Sequence, residues 1–512
     1  GMISEGRPVR FPVHIGELPA GNAIIISDSS SNLPAGLNMA AGTSPIVAMR
    51  PNPNDPYGKV LVISGGDPDQ VLVAAQALAM QSSLLQGPQV SIDRLALPSK
   101  MAADSAPRWA QTDRKIALWD YSTNENLQGD GSAPLNVYFR IPPDIYFADR
   151  PNSILHLSYR YNSIPIGPIS SMQVRINNAF LGSVPLVPGQ EPVRKQEIDV
   201  PVPVVNLRPF SNSLSFDFTF QLLKKGNCQD TTPSNMQGAV LKDSFLDLRG
   251  YPHYAPLPNL EIFANAGFPF TRYPDLGNTT VVLPLNPTPE EVEIFLTMMG
   301  HFSRQSGYPA LRVTVAGPEA MHPGADNDFL VIGTGDDQPG FDKVSSSLPV
   351  SLASGRVQTH DTQGFFAPIH HAWWKVQTNE RAESGELIAS GTPDALIEGI
   401  ESPFSPRATV IAVHLKDAAT YPAFMQTFLY VQQASDIQGS VSMLLGTRFQ
   451  SFRVGASIYH VGTLPWWTRL TLWFKEVPWL AAVIVLMVAF LMAVWTRNWL
   501  RVKARARLKM LD

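Results

Sequence analysis

Near the carboxyl end the polar positions disappear. From Val477 to Trp495 the chain reads VPWLAAVIVLMVAFLMAVW, 19 residues without a charge. Wound as a helix, such a run spans about 29 Å, matching a hydrocarbon core of about 30 Å. The pattern predicts a transmembrane helix over 477–496. Pro478 falls in its first turn, where a missing N–H costs nothing, and Trp479, Trp495 and Trp499 fall where interfacial aromatics belong. Arg497, Arg501, Lys503, Arg505, Arg507 and Lys509 follow the span, whereas the preceding flank holds Arg469 and Lys475 beside Glu476. Positive charge stays inside, so a basic tail over 497–512 is expected in the cytoplasm, with the bulk of the chain in the periplasm or outside. Just before the span, LPWWTRLTLWFKE places Trp466, Trp467, Leu470, Trp473 and Phe474 at helical spacing on one face. An amphipathic helix over 464–476, lying in the interface plane, is expected there, with a surface for a membrane partner.

Upstream, the period of the apolar positions changes twice. NAIIISD, from Asn22 to Asp28, and KVLVISGGDPDQVLVAAQALAM read as a strand and then a strand that turns at Gly65-Gly66 into a helix. Such runs predict a parallel sheet covered on both faces, in an incomplete α/β domain over 1–112. Over 113–255 short alternating segments take over, VYFRI, ILHLSYRY, MQVRIN and LSFDFTFQL, separated by Pro, Gly and Asn. They predict a β-sandwich with Phe216, Phe218 and Phe220 pointing inward. TTVVLPL, PTPEEVEIFLTMMGHF, LRVTVAG, DFLVIGTG and RATVIAVHLKD then restore the α/β pattern, giving a second such domain over 256–462. Strand, acidic turn and helix recur in KVLVISGGDPDQ and ATVIAVHLKDAAT, a weak repeat consistent with duplication.

Composition removes function classes more than it adds them. The 39 basic and 43 acidic residues nearly cancel, which excludes the electrostatic footprint of a nucleic-acid binder. With 45 Pro and 36 Gly, short strands and tight turns are favoured over long helices. The single Cys228 forms no intrachain disulfide. The turns after the α/β strands carry Asp67, Asp69, Asp336 and Asp337, which would repel the phosphates of a flavin or nucleotide, and neither G-x-G-x-x-G nor G-x-x-x-x-G-K-[ST] occurs. Asp67/Asp69 and Asp326/Asp328 form D-x-D patterns of a kind that arise by chance. His370-His371 are adjacent and share no face, and no G-x-S-x-G elbow exists. No cofactor, metal or catalytic constellation is expected. The R-x-x-x-R at Arg501 and Arg505, a spacing some cyclic-dinucleotide sites use, follows from any such basic tail. Outward positions of the sandwich supply candidate glycan contacts: Tyr138, Arg140, His156, Arg160, Asn162 and Arg175, with Asn177 beside them. Trp373 and Trp374, the conspicuous aromatics outside the membrane zone, are further candidates for glycan contact, with cover of the core or contact with the bilayer surface as the alternatives.

One string is more specific than any pattern above. NLEIFANAGFPFTRYPDLGNTTVVLPLNPTPEEVEIFL, with FPFTRYPDL at Phe268–Leu276, resembles the regulatory B subunit of bacterial cellulose synthase; DNDFLVIG, SPFSPRATVIAV and LPWWTRL follow in that family's order. The resemblance implies flavodoxin-like α/β domains flanking a jelly-roll, carbohydrate-binding β-sandwich, then the interfacial helix and the membrane anchor. It implies no catalysis in this chain. The catalytic glycosyltransferase subunit in the inner membrane would be the partner, docked through 464–496, with the cellulose chain led across the periplasm. Apart from the resemblance, irregular loops such as 224–256 could pair with a neighbour's sheet edge, which makes a lateral homo-oligomer of the exterior domains a further candidate. Cyclic di-GMP and the sugar donor would bind the catalytic subunit, although family members are often labelled cyclic di-GMP-binding. A first jelly roll and an export signal, which the full family form carries, are expected to precede this sequence. The alternative is a stand-alone membrane-tethered carbohydrate-binding protein.

Overall fold

The computed structural model describes residues 9–28, 33–34, 37, 44–80, 85–121, 127–147, 150–162, 166, 169–187, 195–221, 236–335, 338–353, 356–359, 387, 391–429, 436–454, 458–476 and 478–508. Cys228, Asp336, Asp337, His370, His371, Trp373 and Trp374 lie outside them.

The amino-terminal unit is built from β1 (Ala23–Asp28), β2 (Ile46–Asn52), β3 (Asp55–Gly65), α1 (Pro68–Ala79) and β4 (Gln89–Ser91). Its sheet runs β1-β3-β2-β4. The βα unit expected from KVLVISGGDPDQ is present, with Asp67 capping α1 by accepting from Gln70 N. Gly65 is required at the turn, because a Cβ there would sit 2.6 Å from Gln70 Cβ and 2.7 Å from Val71 N. The expectation of a parallel sheet is corrected: β1 pairs β3 in parallel, but β2 pairs both β3 and β4 antiparallel. The reason is local, since β2 and β3 are joined by the tight turn at Asn52–Asp55, too short for a crossover. Val47 and Ile63 pack under Ala74 and Ala77 of α1, while Val60 and Val62 meet Leu37 on the opposite face.

Residues 92–115 form a connector laid into a seam. Trp109, fully buried, donates from Nε1 to the Gln305 carbonyl, and Met101 N donates to Asp275. Beyond it comes a two-sheet sandwich of β5 (Ile116–Ala117), β6 (Gln128–Gly129), β7 (Leu135–Arg140), β8 (Asn152–Tyr161), β9 (Ser171–Ile176), β10 (Ala179–Pro185), β11 (Gln196–Pro203), β12 (Ser211–Thr219), β13 (Gly238–Val240) and β14 (Phe245–Asp247). One sheet runs β10-β9-β12-β7; in the other, β13 and β14 share one edge of β8 while β11 takes the other edge. Alternation behaves as physics requires. Phe216 and Phe218 enter the core with Val137, Phe139, Leu155, Leu157 and Val174, and Phe220 packs at its margin.

The second α/β unit contains β15 (Tyr254–Leu257), α2 (Leu260–Ala266), β16 (Thr279–Val282), α3 (Pro289–Ser306), β17 (Thr314–Ala316), β18 (Asp328–Thr334), α4 (Pro339–Asp342), β19 (Val350–Ala353), β20 (Arg356–Thr359), β21 (Ala395–Glu401), β22 (Thr409–Leu415), α5 (Tyr421–Leu429), β23 (Val441–Leu445), β24 (Arg448–Phe452) and β25 (Tyr459–Gly462). Its seven-stranded sheet has the order β17-β16-β18-β22-β21-β23-β24, parallel from β17 to β22 and antiparallel from β22 onward. Here too the sheet is mixed where the apolar runs predicted a parallel one. β21 and β23 are buried along nearly their whole length, Glu398 included, so neither shows the buried/exposed alternation that would mark an antiparallel strand. Helix α3 opens on a capping box, Thr288 and Glu291 each accepting from the other's backbone N–H. Finally β15 pairs with β25, and the chain leaves through α6 (Trp466–Glu476) and α7 (Pro478–Leu508).

Candidate functional surfaces

Two regions hold the residues expected to act, and their environments differ. In α6 the indoles of Trp466 and Trp467 are 66% and 61% exposed and stack on each other with centroids 3.8 Å apart. Leu470 and Phe474 are half-buried, so the expected residues do not all present one open face. Trp473, Pro478 and Trp479 lie on these helices, and their side chains fall outside the described set. Helix α7 is longer than the span predicted from hydropathy. It runs unbroken into the basic stretch because Arg, Lys, Leu and Ala are all good helix formers and no Gly or Pro interrupts them. One helix in the described chain is long and apolar enough to cross a membrane, over Ala482–Lys503, and none of that stretch is buried against the protein. Val485, Leu486, Phe490, Leu491 and Trp495 are all exposed. Thr496 returns its hydroxyl to the Met492 carbonyl at 2.8 Å, which satisfies a polar group along an apolar rod. Just beyond, Lys503 Nζ sits 4.2 Å from the Trp499 ring centroid. Such an uncovered rod demands an apolar surrounding of lipid or protein.

The six sandwich candidates part into three places. Tyr138 and Arg175 face outward on the β10-β9-β12-β7 sheet, Tyr138 being 59% exposed. Arg175 is opposite Phe180 on one side and Ser215 on the other, and Tyr138 is opposite Ser213. The result is a face with aromatics on its two outer strands and Ser213, Ser215, Gln173 and Arg175 between them. Phe180, 60% exposed, was not among the expected contacts. Its signal, the alternation within AFLGS, is blurred by the register shift between Phe180 and Gly182.

His156, Arg160 and Asn162 belong to the opposite sheet or its rim. His156 is engaged internally, with Nδ1 2.7 Å from Asp199 and its ring stacked on Phe245. Arg160 is exposed and lines a shallow cleft of about 260 Å³ with Trp119, Gln128 and Lys242. Asn177 is a turn residue at φ 49°, donating to Asn206 O and Asn212 Oδ1. Arg140 overturns the outward expectation. Alternation puts it on the same sheet face as Tyr138, but there the second α/β unit covers that face, and Arg140 Nη2 donates to Asn265 O at the end of α2. Burial, reinforced by Arg304 and Arg108, pulls its guanidinium down to about 10.

Four acids at or near the α/β turns hold backbone N–H groups or a hydroxyl. Asp67 caps α1, Asp417 accepts from Thr420 N, Asp326 accepts from Ser405 Oγ, and Asp328 accepts from Thr409 N. Burial pushes Asp328 up to about 6. The D-x-D pattern at Asp326 and Asp328 is therefore structural.

Three family models match the chain: "Cellulose synthase BcsB, first FD domain" over residues 1–92, "second CBM domain" over 115–245 and "second FD domain" over 253–413. A curated cyclic di-GMP-binding protein of Xanthomonas axonopodis pv. citri is 31% identical, covering 99% of this chain and 67% of that protein. Its namesake in Escherichia coli K12 is 30% identical with the same two coverages. Cellulose synthase 2 of Novacetimonas hansenii is 31% identical over 99% of this chain and 33% of that protein.

Proposed function

This chain belongs to the cellulose synthase BcsB family, and on that premise we propose that it is a non-catalytic, membrane-anchored subunit that docks on and activates the catalytic glycosyltransferase and guides nascent β-1,4-glucan. The observation that carries the reading is the α6–α7 rod. Over Ala482–Lys503 the apolar surface of α7 is left uncovered among the described residues, and two stacked indoles stand in α6 before it. A helix that merely tethered would need only apolar length. Paired tryptophans 60% or more exposed beside a half-buried Leu470 and Phe474 make a shaped surface suited to a protein partner at the headgroup level. The bulk of the chain then lies in the periplasm and the basic end in the cytoplasm.

Catalysis, and with it the sugar donor, belongs to the partner. In this reading the sandwich contributes a glycan-facing surface through Tyr138, Phe180 and Arg175, whose aromatic and hydrogen-bonding mix suits a neutral sugar chain. The cyclic di-GMP in the relatives' names stays with the assembled complex.

The test is to co-express the chain with the catalytic subunit and measure glucan synthesis in membranes. Removal of 464–512 abolishes synthesis, and so does exchange of 478–496 for an unrelated span. The exposed Tyr138 and Phe180 also fit a tethered glycan receptor with a passive anchor. That second reading expects the exchanged span to work as well as the native one, and full activity in both variants rejects docking.

A further inference from the structure

Connector, sandwich and second α/β unit meet at one imidazole. His253 precedes β15 and is held by an antiparallel bridge to Ile145 of the sandwich. Its Nδ1 lies 3.0 Å from Asp144 Oδ1 and 3.9 Å from Asp104 Oδ1. Its Nε2 lies 3.0 Å from Thr112 Oγ1. Asp144 comes from the sandwich, Asp104 and Thr112 from the connector. The remaining charged group is Arg272 of the second α/β unit, with Nε 3.8 Å from Asp104 Oδ1. The charged groups facing this ring are therefore two carboxylates and one guanidinium, one from each packed segment or more.

Burial makes that arithmetic matter. Side-chain exposure is 1% for Asp144, 17% for Asp104 and 19% for His253. With a neutral imidazole the cluster carries one uncompensated negative charge. Asp104 bears the mark of it, because its Oδ1 is buried without a hydrogen-bond partner while its backbone is held at φ 60° by the bond from its N–H to the Arg272 carbonyl. Few non-glycine residues adopt that conformation, so the fold keeps the carboxylate here at a cost. Thr112 removes the obstacle to a second proton on the ring. A hydroxyl donates to a bare Nε2 and accepts from a protonated one by rotating, so both states of His253 fit without rearrangement.

We propose that this junction is a proton-linked clasp: docking of the sandwich on the second α/β unit takes up a proton shared by His253 and Asp104, and the contact tightens as pH falls. The titration behaviour agrees in sign. Burial opposes charge on His253, but the hydrogen bond and charge of Asp144, with the charge of Asp104, leave its pKa raised. Burial first, then repulsion from Asp144, lifts Asp104 to about 6. A histidine raised in the folded state gives stability present below its unfolded pKa and lost as pH climbs through the folded value. An aspartate raised in the folded state is likewise relieved as pH falls toward and below about 6. Both groups favour the closed contact in mild acid. The inference does not depend on the proposed role in glucan synthesis.

The full chain in detergent is melted at about pH 5.5 and at about pH 8, alongside Asp104→Asn and His253→Gln. Asn imitates the protonated carboxyl, and Gln offers a donor to Asp144 that cannot charge. Wild type is expected to melt several degrees higher in acid. Each variant loses a substantial part of that difference, Asp104→Asn by melting higher at the alkaline pH. Buried Glu398 and Asp328 tilt the wild-type curve in the same direction, so the loss in the variants, rather than the slope, is the measure. Should a variant fail to fold, trypsin cleavage at Arg108 or Lys100 of the wild-type connector, normalised to cleavage in the basic tail, rises several-fold between the same two pH values. Variants with an undiminished pH difference, or connector cleavage indifferent to pH, overturn the proposal. So does a melting temperature that EDTA lowers and added divalent cation restores, since an ion rather than a proton would then join the carboxylates.

Discussion

At the scale of single residues, the most informative side chains are buried ones. The string that carries the family resemblance, FPFTRYPDL, is a packing hub: Phe268, Phe270, Thr271, Asp275 and Leu276 are all buried. Phe270 stacks on Phe302, and Asp275 accepts from Met101 N of the connector and pairs with Arg312. Gly267 just before it takes φ 71°, and a Cβ would lie 2.5 Å from the Phe302 ring, so only glycine ends α2 here. Its specificity reflects the demands of a core and a domain seam. Glu398, fully buried in the middle of β21, accepts from Val350 N at 2.9 Å, and burial pushes its carboxyl up to about 8. A folded pKa above the unfolded one means stability complete in acid that drains as pH rises toward that value. Glu398→Gln keeps an acceptor for Val350 and removes the titration. It is expected to stabilise the protein by on the order of 1–3 kcal/mol at about pH 8 and to leave it nearly unchanged at about pH 5, read from denaturant unfolding at the two pH values.

At the scale of elements, the β10-β9-β12-β7 sheet and the α6–α7 pair carry the function proposed for the chain. The outer strands of that sheet are three steps apart, so Tyr138 and Phe180 stand about 14 Å apart across the strands, with serines and Arg175 between. That layout suits an extended chain of several sugar rings lying across the strands. The double change Tyr138→Ala with Phe180→Ala is expected to weaken retention on a soluble β-glucan affinity gel about tenfold, on the scale of two lost aromatic contacts, with melting temperature within a few degrees of wild type. His156→Ala should leave glucan retention alone, because that ring is already spent on Asp199 and Phe245. Helix α7, 31 residues long, extends for about 46 Å. A bilayer core of about 30 Å leaves its basic end projecting into water as a continuation of the same helix.

At the scale of the whole molecule, the orientation proposed for the chain rests on where the charges lie on that rod. Protease added to spheroplasts is expected to degrade the domains before residue 466 and to leave a protected fragment containing α7 and the basic end. Antibody against the tail detects it intact until the membrane is opened. Digestion of the tail in sealed spheroplasts, with intact domains, would invert the orientation and remove an extracytoplasmic role. The amino acid sequence alone determined those features that depend on neighbours a few positions apart: the apolar span, the period of the strand and helix segments quoted above, the strand–turn–helix passage at Gly65-Gly66, and the family string. Strand direction beyond the β2–β3 hairpin, the cover over Arg140, the internal pairing of His156, and the meeting of Asp104, Asp144 and His253 were decided by tertiary structure. The physical reason is range. Periodicity tells which face of an element a side chain occupies, whereas what lies against that face depends on segments more than a hundred residues away, as Arg140 on Asn265 and His253 on Asp144 illustrate.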